Sequence, residues 1–116
     1  LTVTVPIRED QALIYRLAGD RNPLHSDPTY AQKVGFDKPI LHGLATYGIT
    51  ARVLLDALLD SDPDRLRSID GRFTKPVVPG ETLTVKVWKV DDTAALFAVD
   101  GEDGRSVLSG GRITFA

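Results

Sequence analysis

Residues 17–25 read LAGDRNPLH, a stretch over-specified for a loop. It sets a carboxylate (Asp20), a carboxamide (Asn22) and an imidazole (His25) at fixed offsets around Pro23. Proline fixes its own φ and restricts the residue before it, so Asn22-Pro23 stiffens the bend. A stiff bend costs less to hold in a reactive geometry. Asp20 and His25 lie five residues apart across it and can share one water, which is an arrangement for general acid–base work. Asn22 is placed to fix the carboxylate or that water. The same residues also suit plain turn chemistry, with Asp20 capping, Asn22-Pro23 turning and His25 a satisfied loop histidine. On residue types alone the plain reading is the commoner one.

The second candidate is PILHGLAT, residues 39–46, where Gly43 opens a strongly apolar helix. The first turn of a helix has N–H groups without intrahelical acceptors and carries partial positive charge. A residue without a side chain lets a ligand oxygen reach its N–H, and an oxygen gaining negative charge would be stabilised there. The alternative is that Gly43 only permits close packing on a sheet. His42 is read as structural and stays outside the mechanism.

Acid–base groups facing an oxyanion donor define a reaction class: adding or removing water next to a carbonyl. Conjugation to C=C makes the β-carbon electrophilic, and the developing enolate oxygen needs the Gly43 N–H. Asp20 and His25 would supply hydroxyl to the β-carbon and a proton to the α-carbon. If one water provides both from one face, the addition is syn.

The stretch YRLAGDRNPLHSDPTYAQKVGFDKPILHGLATYG resembles the hydratase 2 motif of MaoC-like dehydratases, above all the catalytic repeat of (R)-specific enoyl-CoA hydratase 2. The likeness extends through RFTKPVVPGETL and joins G-D-x-N-P-x-H to H-G-L at the family's spacing. It implies an α+β hot-dog fold, an antiparallel sheet wrapped around a long central helix. It also implies reversible hydration of trans-2-enoyl-CoA to (R)-3-hydroxyacyl-CoA. Carried over by position, Asp20 and His25 are the catalytic pair with Asn22 beside them, and Gly43 holds the thioester oxygen. Phe73 lines the substrate path, and Arg21, Pro23 and Leu24 inside the motif join it as substrate-binding candidates. Lys75, Arg72 and Arg52 are the cations available for coenzyme A phosphates, though each also reads as an ordinary solvated charge. No cofactor is implied beyond coenzyme A, which is part of the substrate.

Three other readings compete. One is dehydration of 3-hydroxyacyl chains on an acyl carrier protein, and another is thioester hydrolysis on the same fold. The third is a non-catalytic acyl-binding half of a two-repeat protein, against which the intact Asp20, Asn22 and His25 set argues.

The elements that must position these groups are legible in outline. LTVTVP, residues 1–6, alternates as a strand, and 9–18 carries Leu13, Ile14 and Leu17 at helical spacing with acidic residues in its first turn. Gly19 is placed to end that helix in a left-handed conformation. Asp27-Pro28 reads as the cap and first turn of a short helix closed by Gly35. Residues 42–60 form the best helix, apolar almost all round its first half and so expected to be buried. Gly43 and Gly48 within it suggest a close approach by sheet or ligand. Four strands follow, at 68–78, 82–90, 94–101 and 105–115, separated by turn residues. In the second of these, Leu83, Val85 and Val87 share one face with Lys89 at its end, opposite Thr84, Lys86 and Trp88. A sheet wrapped on one helix leaves an edge strand and part of the helix uncovered, so pairing with a second copy is expected.

Composition sets the limits. One domain, residues 1–116, fits the length, and the hot-dog repeat fills it. The chain has room for one repeat, so the expectation is self-pairing as a homodimer or membership as the catalytic half of a double hot-dog protein. Its start at Leu1 rather than Met fits a piece of something longer. A net charge of −2 with no basic run gives nothing to hold nucleic acid. With no cysteine and only two histidines, His25 and His42, no metal site is expected. No apolar run is long enough for a membrane span, and a cytoplasmic location is the default expectation.

Overall fold

Alternating apolar residues build one five-stranded sheet in the computed structural model, which describes residues 1–116. The strands are β1 (Thr2–Pro6), β2 (Leu66–Phe73), β3 (Thr82–Asp91), β4 (Ala94–Asp100) and β5 (Ser106–Phe115), in the order β1-β3-β4-β5-β2. Every pairing is antiparallel, with Val3 opposite Val85, Val85 opposite Val99, Phe97 opposite Gly111 and Ile69 opposite Ile113. One face carries Leu83, Val85 and Val87, all buried as their alternation predicts, while Trp88 and Lys89 are exposed. At Gly111 a Cβ would collide with the Phe97 carbonyl and ring, so only glycine permits this strand crossing.

The long helix α3 (Gly43–Leu58) lies on that face and shares one core with it. Ala45, Thr46, Thr50, Val53 and Leu54 are its buried residues. The apolar first half of the helix is less buried than its composition predicts, while the expected uncovered part of the helix is present. The sheet covers one side only, and Leu44 remains 64% exposed. Gly48 is corrected with it: nothing lies within 4 Å of where its Cβ would be.

The first helical stretch also differs. α1 runs Gln11–Tyr15 and tightens into a 3₁₀ turn over Arg16–Ala18 before Gly19, whose φ is +120°. Its Leu13, Ile14 and Leu17 are exposed and Ala12 is the buried residue, so the apolar stripe does not face the core. Asp10 makes no side-chain cap, because its carboxylate bonds to Arg8 instead. In contrast, Asp27 caps α2 (Pro28–Lys33) as read, accepting from the Thr29 N–H at 2.9 Å. β2 starts two residues early and stops at Phe73 rather than residue 78. Pro76 lacks an N–H and constrains Lys75, which ends ladder pairing. No helix is long and apolar enough to cross a membrane.

Candidate active site

The bend at residues 20–25 is assembled by its own short-range bonds. Asn22 is extended (φ −55°, ψ 125°), as the residue before a proline should be. Its Oδ1 accepts from the Leu24 N–H at 3.0 Å, capping a 3₁₀ turn over Pro23–His25. The Asn22 N–H in turn donates to Asp20 Oδ1 at 3.3 Å. Asn22 therefore shapes the bend through its oxygen, and Pro23 occupies the first position of the turn.

Three bonds tie the bend to the segment leading into α3, one of them between His42 Nε2 and the Asp20 carbonyl. Ile40 N–H donates to the Leu24 carbonyl at 3.2 Å, and His25 Nδ1 lies 2.7 Å from the Ile40 carbonyl. A carbonyl only accepts, so His25 Nδ1 carries the proton and, in the neutral ring, Nε2 holds the free lone pair. That is the tautomer a general base needs. Leu41 N–H donates to the Val77 carbonyl at 2.7 Å, which docks the same segment on the loop between β2 and β3.

His25 and Gly43 open onto one cavity of about 300 Å³, whose walls also include Thr46, Phe73, Phe36 and Val107. A second cavity of about 290 Å³, walled by Ser26, Leu13 and Pro79, meets the first at His25. Gly43 is the first residue of α3, so its N–H has no intrahelical acceptor. A Cβ there would sit 3.3 Å from Phe73 Cε1, so the glycine both bares its amide and admits the aromatic ring. Phe73 is held at the end of β2, near the point where Tyr47 Oη on α3 donates to the Ile69 carbonyl at 2.6 Å. Burial, and then the charge of Asp70, push the Tyr47 hydroxyl above its usual range, so it stays a donor.

Asp20 is exposed, but its carboxylate lies within 4.8 Å of the ligand-capable nitrogens of His25 and His42. These three are the residues whose types could hold a metal ion, although one nitrogen of each histidine faces a backbone carbonyl. Lys75 lies in the cavity wall, whereas Asp20 and Asn22 stand outside it on the bend, and Arg21, Pro23 and Leu24 do not line it either. Arg72 and Arg52 are exposed on β2 and α3.

The group that sequence reasoning left out is His42. It is buried, its Nε2 lies 3.0 Å from the Asp20 carbonyl, and its ring stacks on His25 at 3.8 Å between centroids. The available signal was an imidazole directly before the bare glycine. Its partners lie 17 and 22 residues away in sequence (42 − 25 and 42 − 20), beyond local rules.

Known proteins are similar to this chain over most of its length. A 3-hydroxyacyl-thioester dehydratase Y from Mycobacterium tuberculosis is 50% identical over 119 residues, covering 97% of this chain and 41% of that protein. A probable enoyl-CoA hydratase 2 from Dictyostelium discoideum is 55% identical over 105 residues, covering 89% of this chain and 36% of that protein. The solved peroxisomal multifunctional enzyme type 2 of Drosophila melanogaster superposes with a TM-score of 0.94 at 43% identity, covering 100% of this chain and 22% of that one. The chain thus spans less than half the length of these relatives. The MaoC-like domain model matches residues 1–109, and with the hot-dog architecture and the Asp20–His25 bend in place, the chain belongs to the MaoC-like domain family.

Proposed function

We propose that this domain catalyses reversible syn hydration of trans-2-enoyl-CoA to (R)-3-hydroxyacyl-CoA. The observation that carries the reading is the cavity shared by His25, with Nε2 free, and the unpartnered Gly43 N–H. A thioester carbonyl seated on Gly43 would place its conjugated C=C toward the bend. Water held between Asp20 and His25 gives its hydroxyl to the β-carbon while one of its protons passes to the acid–base pair. The π electrons move to the carbonyl oxygen, and the enolate forms against the Gly43 amide and the positive end of α3. The pair then returns a proton to the α-carbon from the same face, which balances the step and makes it syn.

The same geometry read backward is dehydration, and the M. tuberculosis relative's name gives that direction weight. A carrier-protein thioester would react at the same groups, because the carrier is read at the rim. Leu44 on α3 and Phe73, 56% exposed at the end of edge strand β2, are the surfaces a second hot-dog domain would cover.

The test follows the loss of conjugated enoyl-thioester absorbance with a short trans-2-enoyl-CoA and reads product stereochemistry. Loss of absorbance with (R)-3-hydroxyacyl product supports the proposal. Release of free thiol without hydration, or no reaction across acyl lengths, overturns it. Turnover of the matching carrier-protein thioester in preference to coenzyme A would assign the carrier instead.

A further inference from the structure

His42 takes no part in the steps above, yet it is the most enclosed polar side chain at the site, 2% exposed. It is the N-cap residue of α3 but makes no side-chain cap. Its Nε2 faces the Asp20 carbonyl at 3.0 Å, so that nitrogen carries the ring proton. The ring packs between Tyr15, with centroids 4.4 Å apart, and His25, with centroids 3.8 Å apart and planes 26° from parallel. Its other nitrogen, Nδ1, is buried with no hydrogen-bond partner.

A buried polar atom without a partner is destabilising, and an apolar ring would fill the same space without it. Two features here need an imidazole or its equivalent. One is a flat ring stacked on His25, and the other is an N–H aimed at the backbone of Asp20. Residue 42 also adjoins Gly43, so one side chain links the acid, the base and the oxyanion amide. We infer that His42 is a positioning residue, holding the Asp20 backbone and the His25 ring in register with the Gly43 N–H. The inference rests on the hydration reading above and adds to it a group that touches no substrate.

Glutamine and asparagine separate the donor from mere bulk. The amide nitrogen of glutamine reaches about as far as His Nε2, whereas that of asparagine reaches only as far as Nδ1. Misplacing reacting groups by about 1 Å costs on the order of 100-fold. His42→Asn is therefore expected to lower kcat for enoyl-CoA hydration by about that factor, with KM changed less than about threefold. His42→Gln should return kcat to within about tenfold of the parent. Nitrogen-15 NMR of the parent at pH 8 should show the His42 proton on Nε2 and the His25 proton on Nδ1.

Equal behaviour of the two variants, or a loss confined to KM, overturns the inference. So does a parent His42 that carries its proton on Nδ1, a result that needs neither turnover nor a folded variant. A parent with no hydratase activity fails the hydration reading instead, and the tautomer measurement still decides the arrangement.

Discussion

Two polar clusters border residues 76–78, and they are built to opposite rules. On one side Arg105 donates through Nη2 to Glu81 and, at 2.9 Å, to the Pro76 carbonyl, and through Nη1 to Asp103 at 2.7 Å. Glu81 also accepts from the Val78 and Glu102 N–H groups at 2.7 and 2.9 Å. Every part of that cluster has a partner. On the other side, His25 lines a cavity with its Nε2 unpartnered, His42 Nδ1 has no partner and the Gly43 N–H is bare. A satisfied cluster fixes loops, and one left with open lone pairs and donors can act on a ligand.

The largest effects should come from breaking the open cluster. Asp20→Asn and His25→Ala each remove one half of the acid–base pair and should slow enoyl-CoA hydration by on the order of 10³-fold. Asp20 is exposed, so the unfolding midpoint of Asp20→Asn should barely move. Half-buried His25 gives up its bond to the Ile40 carbonyl and its stack on His42, so His25→Ala should melt somewhat lower while still folding. Steady-state kinetics beside thermal melts checks both halves of that statement. Parent-like rates in both variants would remove the bend from the mechanism.

The satisfied cluster should show the reverse pattern. Arg105→Ala leaves the buried Glu81 carboxylate without its cation. Breaking a fully buried pair costs about 3–5 kcal/mol, and the partial exposure of Arg105 reduces the expected loss to about 2–3 kcal/mol. Urea titration measures it, and kcat at a temperature where the variant is folded should stay near the parent value. A fall in kcat without a fall in stability would erase the contrast between the two clusters.

Gly43→Ala tests the open cluster more gently. The amide stays, but the new Cβ meets Phe73 Cε1 at 3.3 Å. The ring is exposed and can shift by a few tenths of an ångström, so the melting temperature should hold. A crowded approach to the N–H should lower kcat/KM by about tenfold. A bulkier Gly43→Val that still turned over at the parent rate would place the thioester oxygen elsewhere.

How much of this contrast the sequence revealed depends on the range of each interaction. Asp27-Pro28 and Gly19 act on backbone groups within three residues, so their roles as cap and helix end were readable from type alone. The alternation in 82–90 predicts its buried face because a strand's geometry forces period two. Asp20, Asn22 and His25 are legible as one bend because Pro23 makes their spacing rigid, but their catalytic reading comes from the family resemblance, since residue types alone suit a plain turn as well. The His42–Asp20 bond and the Phe73–Gly43 contact join residues distant in sequence, so no local rule shows them. Gly48 and the stripe of α1 misled for one reason. Periodicity tells which residues share a face, and only the tertiary arrangement tells whether that face is covered.

Acid should separate the clusters by the smallest effect. Burial pushes the Glu81 carboxyl up, but the Arg105 hydrogen bond and the Glu102 and Val78 N–H groups outweigh it and leave it below the usual range. A carboxyl depressed in the folded state stabilises the fold above its unfolded value, about 4.3 for glutamate. That stabilisation is lost as the pH falls through the depressed folded value. Glu81→Gln keeps an acceptor oxygen without the charge, so at pH 7 it should be less stable by about 1–2 kcal/mol. Between pH 5 and lower values that gap should close, because the parent takes up the proton the variant never needed. Asp10 and Asp91 are depressed in the same direction by partners outside this cluster and remain in both proteins, so they drop out of the difference. Urea midpoints of parent and variant measured down the acid limb give the gap directly. A gap that stayed constant below pH 4 would mean Glu81 is held by something other than its charge.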